Sequence, residues 1–162
     1  MNGALTTTSL TASATEILLN AGYSQIPESI ISDGPFPNAR AFEDDYGIVL
    51  LTVWETLKSL LREWTLAQAA IIELISARIP STDPKASEGY LVLLCPASTK
   101  DSYQSRVDDI RYDTTQVRKI ISTGDDLVSL DDVNRALAPL LPLDVQIVQD
   151  SKENVLEAYQ NC

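Results

Sequence analysis

The chain's patterning predicts a single α/β domain built on a small mixed sheet, and three observations carry that expectation. Two apolar runs, Ile48–Val53 and Tyr90–Cys95, are short enough to be strands and too uniformly apolar to have a wet face. Between them Leu57, Leu60, Leu61, Trp64, Ala67, Ile71, Leu74 and Ile75 recur three and four residues apart, the stripe of a long helix. A strand, a helix and a second strand in that order imply a right-handed crossover, which sets Tyr90–Cys95 parallel to one strand of the preceding hairpin.

Taken in order, the elements read as follows. Residues 1–12 are rich in Thr, Ser and small side chains and read as a mobile tail, leaving 13–162 as the domain. Ser13 and Glu16 have capping-box spacing, predicting a short helix through Ile17, Leu18 and Leu19 that stops at Gly22. Tyr23 to Asn38 holds Pro27, Gly34, Pro35 and Pro37, a connection with one helical turn at Glu28–Ile31. Ala39–Glu43 and Tyr46–Val53 form a hairpin around Asp44, Asp45 and Gly47. The long helix runs from Glu55 to about Arg78, with Leu66 and Ile72 widening its apolar stripe to reach more than one neighbour.

After the strand Tyr90–Cys95, Ser98 and Asp101 mark a helix start. Val107, Ile110, Thr114, Val117 and Ile121 keep helical spacing, although Lys119–Ser122 can also turn extended. Ser129 with Asp132 caps a short helix ending near Pro139. Leu140–Val148 reads as extended, with Pro142 keeping it from the sheet centre, and Asp150 with Glu153 caps a last helix to about Tyr159. The sum is a sheet of three or four strands covered by helices on at least one face.

Charge restricts the partners. There are 23 acidic residues against 12 basic ones, a net charge of -11, so the surface as a whole is no nucleic-acid footprint. Lys85, Lys100, Arg106, Arg111, Arg118 and Lys119 nonetheless form a local basic cluster. The 2 cysteines and absent histidines argue against a structural zinc site and for reduced thiols in a cytoplasmic protein. No apolar run is long enough to span a membrane, and no signal peptide is evident.

Candidate chemistry is sparse. Glu43, Asp44 and Asp45, with Asp83 and Lys85, are the residue types of a metal-dependent nuclease, but Asp44 and Asp45 suit a hairpin turn equally well and Pro84 puts the other pair in a loop. Cys95 has no histidine to activate it and reads as a small buried side chain. No glycine-rich phosphate loop follows a strand, and no cofactor is expected. On a continuous helix Arg111 and Arg118 share a face, which is either a solvated, salt-bridged surface or a dock for an acidic partner or a nucleic-acid backbone.

Five stretches carry a resemblance: Asp83–Lys85, Glu88–Leu94, Ile110–Thr114, Val117–Ile120 and Ala138–Leu143. Together, and above all in Asp113 to Ile121, the chain from Ala39 to Leu143 resembles the small middle component of ABC-type three-component bacterial conflict systems, the group that includes Lamassu-type anti-phage and anti-plasmid defence. The resemblance implies a non-enzymatic accessory subunit that bridges or regulates an SMC-like ATPase and a nuclease-type effector, with DNA involved only indirectly. It carries no catalytic motif; a divergent small metal-dependent nuclease and a stand-alone regulatory protein are the alternative readings. Lys85, Arg111, Tyr112, Asp113, Arg118 and Lys119 are the expected partner-facing residues, chosen from the basic cluster and the matching stretches.

Overall fold

The computed structural model describes residues 5–27, 39–98 and 101–142. Among them a five-stranded mixed sheet, in the order β1-β2-β3-β4-β5, separates two helical layers. Its strands are β1 (Ser24–Ile26), β2 (Arg40–Glu43), β3 (Ile48–Val53), β4 (Gly89–Leu94) and β5 (Arg118–Ser122). Its helices are α1 (Thr7–Asn20), α2 (Leu57–Arg78), α3 (Asp101–Arg111) and α4 (Leu130–Ala136). The β1–β2 and β2–β3 pairs are antiparallel and the β3–β4 and β4–β5 pairs parallel; of these the parallel β3–β4 pair is the one the crossover argument expects. The mixed sheet is thus as expected in kind, with more strands and with helices on both faces.

Alternation along each strand sends side chains to opposite layers. Ile48, Leu50, Leu91 and Leu93 point to one face, where α2 and α3 cover them with Leu60, Ile71, Leu74, Val107 and Ile110. Phe42, Val49, Leu51, Val92 and Leu94 point to the other, under Leu10, Ala14 and Leu18 of α1 and Val133 of α4. β3 is buried at every position, which is why it reads as an unbroken apolar run. Its one polar residue, Thr52, donates its hydroxyl to the Val92 carbonyl at 2.7 Å and accepts the Trp54 indole N–H at 2.9 Å.

Several boundaries differ from expectation. The first helix begins at Thr7, not after Ser13: Thr6 and Ser9 make the capping box, and Leu10 is fully buried, so the Thr-rich start is helix where a tail is expected. Within the expected connection, Ser24–Ile26 pairs with β2 as a short edge strand. The turn expected at Glu28–Ile31 and the helix expected at Asp150–Tyr159 lie outside the described residues. α2 starts at Leu57 because Thr56 caps the Ser59 N–H at 3.1 Å. Leu66 on α2 is exposed rather than part of the buried stripe, whereas Ile72 does pack on the core. Ser129 and Asp132 cap α4 as expected, and Ala138–Leu140 forms a 3-10 turn.

The largest departure is at α3. This helix ends at Arg111, and Arg118–Ser122 is a strand, so Arg111 and Arg118 do not share a helical face. Asp113 stops the helix by accepting the Thr115 N–H at 2.8 Å, and Gln116 takes a left-handed backbone (φ 67°) that turns the chain into β5.

Candidate functional site

Open α/β sheets usually bind ligands beyond the carboxyl ends of their parallel strands. Here that end is filled by the chain itself. The Gly124 N–H donates to the Ala97 carbonyl at 2.9 Å and the Cys95 N–H to the Ser122 carbonyl at 3.0 Å, so the segments after β4 and β5 close on one another. A methyl at Gly124 would come within 2.3 Å of the Pro96 oxygen. Cys95 is fully buried there, and burial pushes its thiol pKa up against the opposing Ala97 backbone hydrogen bond, which keeps it an unreactive thiol.

A wider space opens at the opposite end, near the start of β4. A cleft of about 930 Å³ is bounded by the α1–β1 turn, the β2–β3 turn, a 3-10 turn at Pro84–Ser87, and Pro139–Pro142. Each wall has a local cause. Gly22, at φ 104°, ends α1 with the Tyr23 N–H on the Leu18 carbonyl (3.1 Å) and the Gly22 N–H on the Leu19 carbonyl (3.2 Å). That turn aims Tyr23 into the cleft, where its hydroxyl donates to the Leu140 carbonyl at 2.9 Å. Burial, then the Asp44 carboxylate and Tyr90, push the Tyr23 pKa up to about 12, so it is a neutral donor at ordinary pH.

The β2–β3 turn is Asp44-Asp45-Tyr46-Gly47. Asp44 Oδ1 accepts the N–H groups of Tyr46 (2.8 Å) and Gly47 (2.9 Å). Gly47 is needed because a side-chain carbon there would meet the Glu88 oxygen at 2.5 Å. Tyr46 is left 79% exposed on the rim. Opposite it, Asp83 caps the 3-10 turn through the Lys85 N–H at 2.9 Å. The cleft is therefore lined by the carboxylates of Asp44, Asp45, Asp83 and Glu88, by three tyrosines (Tyr23, Tyr46, Tyr90), and by a proline–leucine wall. Lys85 is its one lining cation among the described residues, and it reaches Glu43 at 3.2 Å.

Thus the two acidic segments singled out in the sequence do converge. Their convergence is an ion-pair node, however: Glu43 also pairs with Arg78, and these two cations hold its carboxyl below the usual range despite the opposing effect of burial. Among the described residues no group of three His, Cys, Asp or Glu side chains is arranged to hold a metal ion. A carboxylate shared by a guanidinium and an ammonium is positioned to brace β2 against α2 and the 3-10 turn.

The six expected partner-facing residues do not form one surface. Lys85 lines the cleft. Arg118, exposed on β5, donates to the Tyr90 hydroxyl at 3.0 Å and lies 5.7 Å from that ring's centre, so it touches the cleft wall from outside. Lys119 points the other way. Its side chain is 0% exposed; its ammonium donates to the Thr115 carbonyl at 2.6 Å, sits 3.4 Å from Asp113, and lies 5.8 Å from the Trp64 ring centre. In the isolated fold it is an internal brace, a correction to the expectation that it faces a partner. Asp113 is its counter-ion, held low in pKa first by the Thr115 hydroxyl and N–H and then by Lys119. Arg111 bridges Asp108 at 3.2 Å and the Ile121 carbonyl at 3.2 Å on β5, while the neighbouring Tyr112 is 76% exposed.

Sequence reasoning did not name Tyr23, Tyr46, Tyr90 or Pro139–Pro142 as site residues, although Tyr90 and Pro139–Pro142 lie within the stretches that carry the resemblance. Only the turn chemistry at Gly22 and Asp44–Gly47 hinted that these places line up. No protein-family model, curated protein or solved structure matches the chain.

Proposed function

We propose that this chain is an accessory, protein-docking subunit that holds a segment of a partner in the cleft at the start of β4. The single observation that carries the reading is the composition of that cleft: an exposed tyrosine and a proline–leucine wall framed by four carboxylates. Tyrosine supplies large contact area at small entropic cost and is enriched where partners bind most tightly. The carboxylates favour a basic segment and disfavour an acidic one. With the resemblance to the middle component of SMC-like ATPase defence systems, the partner proposed is the ATPase, which the subunit bridges to, or regulates with, a nuclease effector. DNA is then reached through the ATPase, consistent with a net charge of -11. A cytoplasmic site of action is part of the same proposal; among the described residues no helix is long and apolar enough to cross a membrane.

Co-expression with an SMC-like ATPase from the same locus tests this. The wild-type chain is expected to co-purify, and Tyr46→Ala with Asp45→Lys to lose the partner while melting as the wild type does. No ATPase at the locus, or undiminished co-purification of the double variant, contradicts the proposal. A metal-dependent nuclease is the second reading, favoured by the meeting of Glu43 with Lys85 beside Asp44 and Asp83. Plasmid cleavage with Mg²⁺ or Mn²⁺ that Glu43→Gln abolishes would establish it instead.

A further inference from the structure

The sheet ends at β5, and beyond it no further strand pairs among the described residues. The Cys95 N–H bonds to the Ser122 carbonyl, so Arg118, Ile120 and Ser122 turn their backbone groups toward β4. By alternation Lys119 and Ile121 turn theirs outward. An open edge of this kind is a template for another strand. Among the described residues the Arg111 side chain obstructs it. Arg111 reaches from the end of α3 to the outward Ile121 carbonyl (3.2 Å) and is held there by Asp108 (3.2 Å) and Asp126 (3.8 Å).

We propose that the β5 edge is a self-association surface, pairing antiparallel with β5 of a second copy, and that Arg111 is the guard that closes it in the monomer. Pairing centred on Ile120 places Lys119 opposite Ile121 of the other chain and the reverse. Both residues turn their backbone outward, so the parity is right for four interchain N–H to carbonyl bonds. The same register sets Arg118 opposite Ser122 of the second copy, close to where that chain turns through Asp125 and Asp126. By symmetry this charge match occurs twice, and Arg118 is exposed and able to meet it. When Arg111 leaves Ile121, the Asp126 carboxylate it also faces gains the other copy's Arg118. Beside the edge lies a groove of about 520 Å³ flanked by Val128, which is 72% exposed, so pairing also covers apolar surface. The self-association surface meets the partner cleft only through the Arg118–Tyr90 hydrogen bond and does not depend on that reading.

Sedimentation equilibrium of the isolated chain, with hydrogen exchange at single amides, tests the proposal. Losing a charge-assisted hydrogen bond that must otherwise be broken is expected to tighten the dimer of Arg111→Ala roughly tenfold or more over wild type. Adding Arg118→Asp is expected to return it to the monomer. In the Arg111→Ala dimer the Lys119 and Ile121 amides should gain protection. Should Arg111→Ala fail to fold, as judged by near-ultraviolet circular dichroism, Arg111→Lys is read in the same way, because a lysine cannot reach Asp108, Asp126 and Ile121 together. A guard variant no more dimeric than wild type overturns the proposal. So does a dimer that ignores Arg118→Asp or leaves those two amides unprotected.

Discussion

At the scale of single residues, Lys119 shows most clearly how burial reassigns a side chain. An ammonium taken wholly out of water is tolerable only if its donors and charge are met, and Thr115, Asp113 and Trp64 meet them. Removing the counter-ion while leaving the lysine inside is the costly change. Asp113→Ala is expected to destabilise by roughly 1–3 kcal/mol, below the 3–5 typical of a fully buried pair because the carboxylate is partly exposed. Lys119→Met removes the charge but keeps the packing on Trp64 and should cost under about 1.5 kcal/mol. Arg118→Ala, on the surface, should cost less than about 1. Urea unfolding of the three variants gives the order directly, and a larger loss from Arg118→Ala than from Asp113→Ala would contradict it.

Glu43 sets a second residue-level expectation. Its folded pKa lies below its ordinary 4.5, so the native state binds its proton less readily than the unfolded chain does. The stability this contributes is fully present above 4.5 and drains away as pH falls through the folded value. Urea midpoints measured downward from about pH 6 should decline below pH 4.5, and Glu43→Gln should flatten that decline while lowering the midpoint at pH 6. An unchanged acid slope in Glu43→Gln would remove Glu43 from the acid response.

At the scale of elements, the region from α3 to β5 shows what patterning can and cannot decide. Ile110, Val117 and Ile121 lie seven and four residues apart, so they fit a helix. Val117, Lys119 and Ile121 also fit one face of a strand, and this is the arrangement adopted. The strand was legible only as the extended alternative at Lys119–Ser122, because the middle position of this face is a lysine and a buried charge breaks the apolar alternation by which strands are recognised. By contrast β3, β4 and α2 were legible because burial on both strand faces, and along a helical stripe, leaves uninterrupted signals. β1 was not, being three residues long with only Ile26 buried. The junction after β4 and β5 rests on close backbone approach at Gly124. Gly124→Ala, forced against Pro96, Ala97 and Ser98, should cost more than roughly 2 kcal/mol and release the start of α3. A melting temperature equal to wild type would show that the two segments separate without penalty.

On the scale of the whole molecule, the three layers place the cleft where the α1–β1 turn, the β2–β3 turn and the Pro84–Ser87 turn meet. Each turn could be read from its Gly, Asp or Pro, but their meeting depends on the order β1-β2-β3-β4, which joins segments far apart in sequence. The candidate site was therefore only half legible: Asp44, Asp45, Asp83 and Lys85 stood out by charge, whereas the tyrosines became site residues only through topology. The central claim is that this cleft holds a partner segment. Hydrogen exchange of the chain, alone and with the proposed SMC-like ATPase partner, measures it most directly. The account predicts slowed exchange at the Asp45–Gly47 and Lys85–Ser87 amides on both walls of the cleft, with little change across α2. Unchanged exchange on both walls in a complex that demonstrably forms, or protection confined to α2, would contradict it.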